Sequence, residues 1–383
     1  MITLIAGADL YAPEPRGTTD LLVAGGRVAA LGAGAAVQGD AVETVDGRGK
    51  LLLPGLVDAL THPCCGGGEG GFANRTAEIP AADFIRAGVT APVGALGTDS
   101  IGRSLEVLYG SVMALRGHGL RAFMLSGAYR VPAPTLTGDI ARDLVLIDPV
   151  VGIGEVAVAE HRGTQPTAQE LRRLAAETRL GGTLKGCGGT VLVHVGEGAE
   201  RLALLREAIA GSDLPAGVLY PTHVNRSHAL LAEAAAWTRE GGFVDITVST
   251  TPELIAAGDI TALDALAALR EGDADLSRIS FSSDAGGSLP LYRDGELVGL
   301  QAAAPSALND LLAETLQKAP DQLPAVIAGL TANPAAALRL PGVGRLLAGG
   351  PADLLLADAQ SGRVTDVMAK GRWLMRDGEL VNG

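Results

Sequence analysis

The amino-acid sequence predicts an α/β fold: a (β/α)8 barrel of the TIM type, joined to a small β-sandwich domain formed by both chain ends. Three observations carry this expectation. Eight short apolar runs alternate with segments whose apolar residues recur at i, i+3 and i+4. Both ends have a different texture, short strands broken by glycine turns. Five polar residues, His62, Glu155, His194, His223 and Asp284, each close or interrupt one of the apolar runs. In a parallel barrel the strand ends converge on one face, and that face carries the chemistry.

The elements follow in order. Residues 1 to 53 read as short strands, among them a hairpin, DLLVAGGRVAALG, around Gly25-Gly26. The middle of the chain places strands near 56–61, 89–96, 121–126, 150–158, 190–194, 217–221, 243–248 and 279–283. Helical periodicity fills the spaces between them, in AQELRRLAAETRL, ERLALLREAIA, residues 228–240 and ITALDALAALREG. Eight strand–helix units with no interleaved hairpin argue for a closed parallel barrel over residues 54–345. The last stretch, ADLLLADAQSGRVTDVMAKGRWLMRDGELV, is broken at Ser361-Gly362, Lys370-Gly371 and Asp377-Gly378. Its likeness to the first segment predicts that residues 1–53 and 346–383 pair into one sandwich domain.

Composition narrows the field. Of 383 residues, 47% are hydrophobic and 19% charged, which predicts a large buried core and argues against disorder. The net charge of −13 would repel a polyanion, so nucleic acid is excluded as an expected partner. Three cysteines, Cys64, Cys65 and Cys187, fit a reducing compartment without a disulfide framework. The first residues lack a basic segment followed by a long apolar run, and no apolar run reaches the ~18 residues of a membrane span. A cytoplasmic protein with no membrane contact is expected.

The polar residues suggest a metal centre. His194 follows TVLV and His223 follows LYPT. One such histidine is commonly a satisfied core residue, but two on adjacent strands favour metal ligation, because neutral imidazole is zinc's usual nitrogen ligand. Glu155 interrupts VVGIGEVAV, and a buried carboxylate needs a cation or donors. An arginine ion pair would satisfy it; so would a metal held with His194 and His223. Three protein ligands with a fourth position for water is the pattern of catalytic zinc. Asp284, in FSSDAGGS, is either a turn aspartate or a group that moves a proton for bound water. His62 ends its run alone, because Leu60 stands at i−2. Metal binding, a hydrogen bond to water or substrate, and a structural role all remain open for it. Asp58 on the same run reads as a supporting residue. A His62-x-Cys64 metal pair is disfavoured, since a thiolate suits a softer site.

These segments resemble the amidohydrolase superfamily and, within it, bacterial isoaspartyl (β-aspartyl) dipeptidases. The matching motifs are PGLVD (54–58), GGGEGG (66–71), GALGTDS (94–100), SGAYRVP (126–132), AEHR (159–162), LVHVGE (192–197), PTHVNR (221–226), FSSDAGGS (281–288) and PADLLL (351–356). The resemblance implies that Glu69 binds a substrate α-amino group, and that Thr98, Arg162, Arg226 and Ser288 hold two carboxylates and the peptide. It implies that Tyr129 polarises the scissile carbonyl and stabilises the oxyanion, that Asp284 shuttles the proton, and that the chain forms a homo-oligomer. Residue chemistry agrees: guanidinium forks suit carboxylates and a phenol suits an oxyanion. The departure lies at the metal. Relatives it resembles carry H-x-H after strand 1 and a carboxylated lysine on strand 4, bridging two zinc ions. Here those positions are Leu60-Thr61-His62 and Glu155. That pattern is similar to mononuclear N-acetylglucosamine-6-phosphate deacetylases. One Zn2+ per chain on Glu155, His194 and His223 is therefore expected, with β-aspartyl dipeptide hydrolysis as the activity. An amide-forming cyclase or deacylase, or a catalytically degenerate ligand-binding protein, are the alternatives.

Overall fold

The computed structural model describes residues 2–35, 37–69, 71–293 and 296–381. Six apolar runs form one curled parallel sheet in chain order. They are β1 (Leu56–Thr61), β2 (Val89–Gly94), β3 (Phe123–Ser126), β4 (Val150–Val158), β5 (Thr190–Val195) and β6 (Leu219–Thr222). A second parallel pair follows, β7 (Val244–Thr247) and β8 (Ile279–Ser282). Apart from half-buried Phe123, every residue of these eight strands is buried, as parallel strands covered on both faces require. Contacts also link the two sheets. Thr222 Oγ1 donates to Asp245 Oδ2 at 2.7 Å between β6 and β7. Past β8, Ala285 pairs with Thr61, and His62 N donates to Ala285 O at 2.6 Å.

Strand boundaries follow the sequence pattern closely. β1 and β4 span the residues expected; most of the others differ by one or two. β6 starts at Leu219 rather than 217, because Ala216–Val218 forms a 3-10 turn behind Pro215. The helical segments appear as Ala168–Lys185, Ala203–Ile209, His228–Arg239 and Ala262–Glu271. The longest shows why. Thr167 and Glu170 form a reciprocal capping box, Leu171, Leu174, Ala175 and Thr178 face the core, and Gly186 at φ +84° ends it. One expectation fails: an antiparallel hairpin, Ser288–Arg293 with Glu296–Ala302, follows β8. The sequence around it, LYRDGELV, carries an Asp-Gly hairpin signal. Asp294 and Gly295 themselves lie outside the described residues.

Both chain ends meet in one nine-stranded sheet. Leu354–Asp358 runs antiparallel to Lys50–Pro54, which joins Ile2–Tyr11 and the hairpin Pro15–Ala24/Arg27–Leu31. Gly25 (φ +60°) and Gly26 (φ +78°) supply the two left-handed residues that this two-residue turn needs. Val42–Asp46 pairs parallel with Ile2–Tyr11, and the C-terminal strands Val364–Ala369, Arg372–Arg376 and Glu379–Leu380 complete the sheet, broken where the glycine dipeptides fall.

Polar groups sit deep inside the strands. Asp245 accepts from Thr222 Oγ1, from Ser280 Oγ at 2.8 Å and from Ser282. Asp58 accepts from the backbone N–H and the hydroxyl of Ser283. Burial pushes Asp58 up to about 7 and Asp245 up to about 6, the hydroxyl donors only partly offsetting it. The raised native value means that the folded state holds the proton more tightly than the unfolded chain does. Stability from this source is therefore complete below pH ~4 and lost as pH rises through about 6. Chemical unfolding of the parent and of Asp245→Asn between pH 4 and 8 should show the parent losing ground to the variant with rising pH. Parallel curves would mean that Asp245 is ionised throughout.

Candidate active site

The polar strand-end residues gather at one place. Glu155 points from the middle of β4, His194 from β5, His223 follows β6, His62 follows β1 and Asp284 follows β8. His223 (φ +62°) and Asp284 (φ +53°) both take left-handed backbone, so the chain turns sharply as it leaves each strand. Glu155 Oε2 lies 3.2 Å from His194 Nδ1 and 3.4 Å from His223 Nε2; Oε1 lies 3.6 Å from His62 Nε2. Among the described residues no lysine or arginine pairs with Glu155, which removes the arginine ion-pair alternative.

Glu155, His194 and His223 form the one group among the described residues that could hold a metal ion, their ligand atoms all within 4.8 Å of one another. Each is almost fully buried. The donor set, one carboxylate and two imidazoles, fits a borderline divalent cation. His223 Nδ1 meets Thr247 Oγ1 at 2.6 Å, which orients the ring and leaves Nε2 toward Glu155. Burial disfavours the charged form of Glu155, and the neighbouring imidazoles outweigh it, holding its carboxyl well below the usual range. Burial, with His194 alongside, pushes His223 down to about 4, so its imidazole is neutral at pH 7, as a ligand must be.

His62 stands apart from that trio. Its Nε2 meets Asp284 Oδ1 at 3.0 Å and its Nδ1 meets Ala95 O at 3.1 Å. Burial opposes its charge, but the Asp284 hydrogen bond and charge overcome this and raise it to about 9. Leu60 is fully buried in an apolar cluster with Val57, Val93, Leu125 and Leu192. Cys64 Sγ rests 4.0 Å from Cys65 O, and burial pushes its thiol up to about 11.

The remaining candidates line the same chamber, about 70 Å3, which contains Glu69, Thr98, Tyr129, Arg162, Arg226 and Ser288 beside His62, Glu155, His194 and Asp284. Tyr129 Oη lies 2.8 Å from His194 Nδ1. Burial, then the Glu155 charge, raises its phenol well above the usual value, so it stays a donor. Glu69 Oε1 accepts from Thr98 Oγ1 at 2.8 Å and from Arg162 Nη1 at 3.1 Å. Its Oε2 is buried with no partner among the described residues. An outer cavity of about 460 Å3 shares Arg162, Arg226, Asp284 and Ser288 with it, is lined also by His223, and opens toward Glu197, Thr250 and Leu254.

Two features escaped the sequence reading. Glu160, inside AEHR, takes a two-pronged hydrogen bond from Arg162, Nε and Nη2 each at 2.9 Å. Arg103, 6% exposed, donates to Cys65 O at 2.7 Å and to Gly67 O at 2.9 Å, bracing the glycine-rich loop that carries Glu69. Gly70 of that loop lies outside the described residues. Only the AEHR and GGGEGG motifs marked these neighbourhoods, and neither names the partner.

A buried carboxylate–imidazole trio at the ends of curled parallel strands is the site architecture of a metal-dependent hydrolase. The chain belongs to the amidohydrolase family, whose model matches residues 51–374. It is similar to the crystal structure of β-aspartyl dipeptidase from Fervidobacterium islandicum AW-1 in complex with the β-Asp-Leu dipeptide. That match has 40% identity and a TM-score of 0.90 over 100% of this chain and 99% of that one. A second crystal structure of β-aspartyl dipeptidase from that organism gives 37% identity and 0.88, with the same coverage. Among curated proteins, a dihydroorotase of Streptomyces coelicolor is 28% identical over 275 residues, 65% of this chain and 59% of the relative. An imidazolonepropionase of Rubrobacter xylanophilus matches over 63 residues, 15% of each chain. This chain thus spans well under two thirds of those curated relatives.

Removing the Arg103 brace leaves two carbonyls without their charged donor. Arg103→Ala should lower stability by about 2–3 kcal/mol and expose residues 66–76 to protease. Unchanged melting and cleavage would show that the loop holds itself.

Proposed function

We propose that the chain is a metal-dependent amidohydrolase that cleaves the isopeptide amide of a β-aspartyl dipeptide or close analogue. The observation that carries this reading is that two cavities sharing Arg162, Arg226, Asp284 and Ser288 bring together two kinds of chemistry. Glu155, His194 and His223 supply a metal-type donor set. Beside them Glu69 keeps a buried, unpartnered oxygen suited to an ammonium, and Arg162 and Arg226 offer guanidinium groups suited to carboxylates. The 40% identical relative with a bound β-Asp-Leu supports the same substrate class.

Glu155, His194 and His223 would hold one Zn2+ per chain. Such an ion supplies Lewis acidity and brings the pKa of a hydrolytic water to ~7. This chain's own groups do the rest. Arg162, Arg226, Thr98 and Ser288 orient the dipeptide, and Glu69 selects its free amine. Asp284, steadied by His62, takes the proton of the attacking water and returns it to the leaving nitrogen. The Tyr129 hydroxyl donates to the oxyanion as the carbonyl becomes tetrahedral.

Three further readings go with this one. We read residues 54–345 as a closed (β/α)8 barrel, supported by the contacts between β6 and β7 and between Ala285 and Thr61. We read 1–53 with 346–383 as a separate sandwich domain, supported by the sheet that both ends share. A cytoplasmic homo-oligomer is supported by three free cysteines and by exposed Leu146, Leu180 and Leu184 on two packed helices. Among the described residues no helix is long and apolar enough to cross a membrane.

Zinc-supplied protein should release free aspartate and leucine from β-Asp-Leu. Asp284→Asn should lose at least ~1,000-fold in kcat, at the scale of a key proton-transfer group, with its metal retained. Glu69→Gln should mainly raise KM. Appearance of a cyclic product, or full activity in Asp284→Asn, would contradict this mechanism.

A further inference from the structure

Glu160 has no part in the chemistry above, yet it touches both halves of the site. It follows β4, five residues after Glu155, and its side chain is 4% exposed. Its Oε2 lies 3.2 Å from His194 Nε2, the ring nitrogen that faces away from Glu155. The same carboxylate accepts Arg162 Nε and Nη2, and its Oε1 accepts the Arg162 backbone N–H at 3.1 Å. Arg226 Nη1 approaches Oε2 at 3.7 Å. The close approach is built into the backbone. A Cβ at Gly196, two residues past His194, would meet Glu160 Cα and Cβ at 2.7 Å, so glycine is required there.

A neutral imidazole carries one N–H and one lone pair, and the partner of one nitrogen decides which is which. A carboxylate only accepts, so a contact with Glu160 puts the proton of His194 on Nε2. The lone pair is then on Nδ1, where Tyr129 Oη stands at 2.8 Å and can donate to it; Glu155 Oε2, 3.2 Å from the same nitrogen, also only accepts and favours the opposite tautomer until a cation lies between the two. Arg226 Nη1 lies 3.4 Å from the same Nε2 and would favour the other tautomer. Its shorter bond goes to Val195 O at 3.1 Å, so the Glu160 contact prevails. A carboxylate behind a metal-binding histidine commonly sets both tautomer and ring orientation.

We propose that Glu160 is a positioning residue: it fixes His194 in the tautomer that leaves Nδ1 for a metal ion, and clamps the Arg162 guanidinium in the same act. The inference rests on the metal-site reading given above. One carboxylate thereby orders a metal ligand and a substrate-binding group, which lie 32 residues apart in the chain.

The test uses the full chain with Glu160→Ala and Glu160→Gln, the second keeping volume and one acceptor oxygen. Zinc affinity is measured by chelator competition. The tautomer of His194 is read in metal-free protein from ¹⁵N shifts of labelled histidine, six residues in all. We expect zinc binding weakened by about 10- to 100-fold in the alanine variant, a smaller loss in the glutamine variant, and an Nε2–H population of His194 that is lower in both variants than in the parent. KM for β-Asp-Leu should rise as Arg162 loses its clamp. Unchanged zinc affinity with an unchanged His194 signature would overturn the proposal. Should the parent bind no zinc, the metal-site reading fails and the histidine signature alone decides the role of Glu160. If the alanine variant does not fold, the glutamine variant carries the same test.

Discussion

A carboxylate in the middle of an apolar strand is the constraint on which this site depends. Glu155 is buried, ionised and flanked by imidazoles, with no lysine or arginine in reach among the described residues. Isolating such a charge from water costs several kcal/mol unless a cation or strong donors replace the hydration. One of the three histidines around it is held neutral. His223 is driven toward neutrality by burial and by its neighbour, and Glu160 engages His194 at Nε2. A divalent ion between Glu155, His194 and His223 would resolve that imbalance.

The scaffold supports this arrangement at each strand end. Left-handed turns at His223 and Asp284 redirect the chain once the strand has delivered it. Asp58, buried on β1, holds the N–H and hydroxyl of Ser283 and so fixes the approach to Asp284. Thr247 on β7 steadies His223, and Glu160 after β4 steadies both His194 and Arg162. Glu155 and His194 therefore sit on rigid strands, and His62, His223 and Asp284 follow within two residues of a strand end. Glu69, the candidate selector of an amine, sits on a glycine-rich loop that borrows its order from Arg103.

Much of this was legible in the sequence because strand-end chemistry is local. A histidine closing TVLV or a glutamate breaking VVGIGEVAV announces itself against its apolar neighbours, and the glycine turns of both chain ends were readable for the same reason. The hairpin after β8 departs from the expected succession of strand–helix units, although LYRDGELV carries its Asp-Gly signal. Glu160 was hidden for a different reason. In the sequence it is one charge beside His161 and Arg162, and its contact with His194 joins residues 34 positions apart. Thr247 and Ser283 were silent likewise, since a hydroxyl shows its use only when its acceptor is known.

The most direct measurement is metal per chain, by elemental analysis of protein purified without chelator, for the parent and for Glu155→Ala. The account predicts about one zinc in the parent and none in the variant, because Leu60 removes a ligand from any second position and Glu155 is the only carboxylate of the trio. Two ions per chain would contradict the mononuclear reading. None in the parent, even after zinc is supplied, would contradict the account of Glu155 itself.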